Sequence, residues 1–107
     1  MSFEFRYQRI LDVRELEEDQ EQAEFVEVRN RLREEEQKLK ELQNQLEQHF
    51  EQTRQYRQGS AQALQRFRKY ARTLNQKIAK QQEVVQEWEN KLEEQREQLV
   101  EASRKRQ

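Results

Sequence analysis

Two stretches of heptad repeat, separated by the only glycine of a proline-free chain, restrict this 107-residue sequence to long helices that must bury a narrow apolar seam. In the first stretch one column runs Phe25, Leu32, Leu39, Leu46, Thr53, and its companion runs Val28, Glu35, Leu42, His49, Tyr56. The second is cleaner, with Leu64, Ala71, Ile78, Val85, Leu92, Leu99 beside Phe67, Leu74, Gln81, Trp88, Gln95, Ala102. Glu35, His49 and Thr53 are polar defects in the first seam. Between Asp12 and Glu24 the register fades into a run of Glu, Asp and Gln that reads as a solvated or frayed helix.

Composition supports helices over a globule. A hydrophobic fraction of 32%, a charged fraction of 40% and a mean hydropathy of -1.51 leave too little apolar material for a compact core. Glu, Gln, Arg, Lys and Leu favour helices, and the Gly, Pro and Ser that enrich disordered chains are nearly missing. Without cysteine, and with a single histidine, the sequence holds no thiolate metal site and little material for a nucleophile and its base. No catalytic residue, metal or cofactor is therefore expected. His49 reads as a register-setting seam residue, and Trp88 as a packing anchor. No apolar run is long enough for a bilayer span and no signal peptide follows Met1, so the chain reads as cytosolic.

Topology is the open question. From Thr53 to Leu64 the core column advances by a heptad plus four, which a continuous helix absorbs as a stutter. Gly59, however, is disfavoured inside a helix and favoured just past a helix end, and Ser60 beside it suits a cap. The expected fold is all-α: one coiled-coil domain over residues 1–107, an antiparallel hairpin with helix 1 at about 3–57, a turn near Gly59 at about 58–61, and helix 2 at about 62–105. The competing architecture is a parallel dimer of continuous rods. Equal distances from Gly59 set Leu11 opposite Gln107, leaving the apolar cluster of Phe3, Phe5, Tyr7 and Ile10 without a partner in the chain. The expected core is Leu32, Leu39, Leu42, Leu46, Leu64, Phe67, Ala71, Leu74, Ile78, Val85, Trp88, Leu92 and Leu99.

Charge is segregated along the sequence. Arg54, Arg57, Arg66, Arg68, Lys69, Arg72, Lys77 and Lys80 fall in one stretch, 54–80, that contains no acidic residue, although the whole chain has 22. In a hairpin this makes a basic tip on an acidic stalk, steered toward acidic surfaces. The bland reading is a solvated helix face. Tyr70, flanking the seam among these cations, is a contact residue or packs along the neighbouring helix. No nucleic-acid motif is present, and none is expected as a partner; weak binding of anionic lipid or nucleic acid at the tip would be strongly salt-dependent.

The opening Phe3-Glu-Phe5-Arg-Tyr7-Gln-Arg-Ile10-Leu11-Asp-Val-Arg-Glu15 resembles the N-terminal signature of the FliJ family, soluble proteins of the bacterial flagellar type III export apparatus. A second similarity lies in Phe67, Tyr70, Leu74 and Ile78, followed by Trp88 and Leu92. The resemblance implies an antiparallel two-helix coiled coil shaped like the stalk of rotary ATPases. It implies a non-enzymatic protein that joins the hexameric export ATPase, the export gate and the export chaperones, in the cytoplasm and peripheral to the inner face of the cell membrane. By that likeness Tyr70 and Leu74 match a gate-contacting patch, to which the charge pattern adds Arg66, Lys69 and Arg72. Phe3, Phe5, Tyr7, Ile10 and Leu11 match the end that meets the ATPase ring. In the family the second helix runs further than Gln107, so a C-terminal truncation is expected. An injectisome stalk and a structural scaffold remain the alternative readings.

Overall fold

The structure is a computed structural model that describes residues 2–55 and 61–106, with side chains over 4–54 and 61–105. Every described residue is helical. Helix α1 spans Ser2–Gln55 and helix α2 spans Ala61–Arg106. Both consist of strong helix formers without an internal glycine or proline, and α1 carries Glu4 in its first turn and Arg54 in its last, each matched to the helix dipole. The fold is an antiparallel two-helix coiled coil. Of the turn expected at about 58–61, residues 58–60 lie outside those described, and Ala61 belongs to α2.

The helices pack as two units, Met1–Leu32 with Trp88–Gln107, and Arg33–Glu87. Within the second, Glu35 meets Gln81 and His49 meets Phe67, partners nearly equidistant from Gly59. These contacts belong to a chain folded back on itself, not to a continuous rod. Leu32, Ala71, Leu74 and Val85 are buried, while Leu39, Leu42, Leu46, Phe67, Ile78, Trp88, Leu92 and Leu99 are half-buried, as a two-stranded seam requires.

Leu64 departs from the expected core and is 46% exposed. It lies in the first turn of α2, and the α1 residue at about the matching distance from Gly59 is Thr53. Thr53 is a short side chain whose hydroxyl donates back to the His49 carbonyl of its own helix at 2.7 Å. The buried part of this α2 column starts one heptad later, at Ala71.

The stretch read as a fading register continues the seam with polar occupants. Seven-residue steps back from Phe25 reach Glu18, which is buried, and Leu11, which is half-buried; Glu21 and Val28 form the half-buried companion column. Among the described residues, Glu21 Oε2, Gln95 Oε1 and Arg29 Nε are buried without a hydrogen-bond partner. Each such atom forfeits its hydration and weakens this unit.

Candidate partner-binding surfaces

At the N-terminal end of α1, Phe5, Tyr7 and Ile10 are at least half exposed and Leu11 is half-buried; the side chain of Phe3 lies outside the described set. Tyr7 and Leu11 lie on the face that continues the seam, where Tyr7 is 58% exposed. Large apolar side chains gathered on one helix end mark an interaction surface more strongly than single exposed ones.

The basic surface lies at the start of α2. Arg66, Arg68, Lys69, Arg72, Lys77 and Lys80 are all exposed, and among the described residues none of them has a carboxylate within ion-pair distance. Arg54 on α1 differs, because Glu51 lies 3.5 Å from it one turn away. The first turn of α2 also lacks an acidic residue, so the positive end of its dipole adds to the local field. On the helix, Arg66, Lys69 and Arg72 recur every three residues along the side away from the seam.

Tyr70 stands at the edge of this surface, about half exposed, with its ring edge-on to His49 at 4.5 Å between centroids and 62° between planes. One side of the ring packs along α1 and the other meets solvent. His49 anchors the arrangement, stacked on Phe67 at 3.6 Å and 10°, with Nε2 3.0 Å from the Phe67 carbonyl oxygen. A carbonyl only accepts, so Nε2 carries the proton. His49→Ala removes the stack and the hydrogen bond together, about 1–2 kcal/mol of local stability. Hydrogen exchange checks this: amides around Phe67 to Ala71 should exchange roughly tenfold faster, while those around Leu92 stay unchanged.

Leu74 is 2% exposed, its side chain committed to the seam as the heptad register expects, so Arg66, Lys69, Tyr70 and Arg72 are the accessible members of the expected gate-contacting set. Trp88 is half-buried, with the Lys91 ammonium 4.2 Å and the Arg31 guanidinium 5.6 Å from its ring centroid. Two cations near the ring of this aromatic anchor let it bridge seam and surface.

A family model described as Flagellar FliJ protein matches residues 3–107. The chain belongs to the FliJ family. No curated protein and no solved structure matches it. FliJ membership implies a flagellar, export-related role, and the family is a non-enzymatic export component. Among the described residues no helix is long and apolar enough to cross a membrane, and no cluster of His, Asp and Glu is arranged to hold a metal ion.

Proposed function

We propose that this FliJ-family chain is a coupling adaptor of flagellar type III export, without catalytic activity of its own, that links the export ATPase ring to the export gate and helps cycle export chaperones. Its place is cytoplasmic, peripheral to the inner face of the cell membrane. The family match over residues 3–107 carries this reading. The two exposed surfaces support it, since one is apolar and built on the N-terminal turns of α1, and the other is basic and built on the first turns of α2.

In this assignment Phe5, Tyr7, Ile10 and Leu11, with Phe3, face the ATPase ring, and Arg66, Lys69, Tyr70 and Arg72 face the gate. A cationic surface steers association with an acidic partner and raises its on-rate more than its final affinity. Reversing Arg66, Lys69 and Arg72 to Glu together should lower gate binding by at least tenfold at low salt while far-ultraviolet circular dichroism stays unchanged. Wild-type binding by the triple variant would remove the gate assignment. Retention of the chain on immobilised export ATPase, lost on Tyr7→Ala with Ile10→Ala, tests the apolar surface of α1 independently. Equal retention of wild type and variant removes that assignment.

A further inference from the structure

A second heptad stripe runs along α1 on a face that the first seam does not use. Phe5, Arg9, Asp12, Leu16, Asp19 and Ala23 are spaced alternately by four and three residues, and all six are exposed. At about 100° per residue they centre roughly 140° round the helix from Leu11, Glu18 and Phe25, which form the intrachain seam. Phe5 is 66% and Leu16 58% exposed. Arg9 holds its guanidinium 5.8 Å from the Phe5 ring centroid, and Asp12 accepts a hydrogen bond from Gln8 Nε2 at 3.1 Å, so the polar members already lie along the stripe.

We propose that this stripe pairs with the same stripe of a second copy of the chain, antiparallel, about a twofold axis passing between Arg9 and Asp12. The order Phe5, Arg9, Asp12, Leu16 is self-complementary when read backwards. Phe5 then faces the partner's Leu16, and Arg9 faces the partner's Asp12, each contact occurring twice by symmetry. Sliding the pair by one heptad in one direction sets Phe5 on the partner's Arg9 and leaves Leu16 uncovered. Sliding it in the other direction brings the partner's Ala23 opposite Phe5 and its Asp19 opposite Arg9, but sets Asp12 on the partner's Leu16, a carboxylate against an apolar side chain in both central layers. Only the central register matches apolar with apolar and cation with anion in every layer it forms between Phe5 and Leu16, with Asp19 and Ala23 lying beyond the paired segment, and that match argues for a second copy over an unrelated helix.

Four layers span about 17 Å of helix, well short of a standard interface, so the association is weak and in equilibrium with monomer. It does not rest on the ring assignment, with which it shares Phe5.

Sedimentation equilibrium of the full chain tests it. From micromolar to millimolar concentration the weight-average mass should rise toward twice that of the monomer. Arg9→Asp alone and Asp12→Arg alone should each stay monomeric, because each places like charges in the two central layers. Mixing them should restore the dimer, since every central layer again pairs opposite charges. Because these side chains are exposed, unchanged circular dichroism separates lost pairing from lost folding. The chain has no cysteine, so Phe5→Cys and Leu16→Cys report direction: a mixed disulfide should form between the two variants, with neither forming a dimer alone. A monomeric mass at every concentration overturns the proposal. So does a dimer indifferent to Arg9→Asp, which would use another face, or a Leu16→Cys homodimer, which would be parallel.

Discussion

Replacing Gln81 with leucine should destabilise the coil by about 2–3 kcal/mol, whereas replacing Glu35 and Gln81 together with leucine should recover wild-type stability or exceed it. Glu35 is 3% exposed in the middle of an apolar seam. Gln81 reaches it from α2, its Nε2 donating to the Glu35 carboxylate at 2.6 Å and to the Glu35 carbonyl at 3.0 Å. Lys38 adds an ion pair at 3.3 Å from the solvent side. Gln81→Leu strips the buried carboxylate of this interhelical donor, and the Lys38 ion pair, on a side chain more than half exposed, is correspondingly screened. The double variant removes the buried polar group itself, and two leucines complete the columns on both helices. Urea denaturation of the three proteins, followed by circular dichroism, decides the matter. A Gln81→Leu midpoint equal to wild type, or a double variant weaker than the single, would show that the pair is not the coupled unit described here.

A polar pair that adds little net stability can still fix alignment. Sliding the helices by one heptad would leave Glu35 buried without Gln81, whereas a leucine seam tolerates such a slip at lower cost. The double variant should therefore show doubled amide resonances for seam residues where wild type shows one set. A single set in the double variant would assign register to His49 and its stack on Phe67 instead.

The heptad columns made the fold legible, because a two-helix coil has few ways to hide a narrow seam and the helix formers leave no competing structure. The hairpin was legible through Gly59, even though spacing alone permitted a continuous helix. Equal counting from Gly59 also came close to the real partners, setting Glu35 near Gln81. What sequence pattern missed was polar occupancy: Glu18 and Glu21 sit on the seam, but a search for apolar periodicity reads carboxylates there as lost register. A strict step of seven back from Phe25 would have found Glu18. Leu64 failed in the opposite direction, since it holds a column position but lies in the first turn of α2 and is 46% exposed. Surface function was less legible than fold. The acid-free run was visible, but which of its side chains are accessible depends on the helix packing that buries Leu74 and leaves Tyr70 half out.

That contrast sets the second expected result: Leu74→Ala should cost about 2–3 kcal/mol of stability, and Tyr70→Ala less than about 1 kcal/mol. Leu74 is 2% exposed, so truncation leaves a cavity between helices as well as losing the transfer energy of the removed carbons. Tyr70 loses only its edge contact with His49 on a residue already half in water. If the proposed gate surface is right, binding should follow the reverse order under conditions where both variants remain folded. Tyr70→Ala removes an exposed aromatic beside Arg66 and Lys69 and should weaken gate binding severalfold, while folded Leu74→Ala should bind nearly as wild type. Denaturation midpoints and binding isotherms on the same preparations separate the two effects. A Leu74→Ala protein as stable as wild type would disprove its placement in the seam. A folded Leu74→Ala protein that loses binding, beside a Tyr70→Ala protein that keeps it, would mean the partner opens the coil and reads its interior.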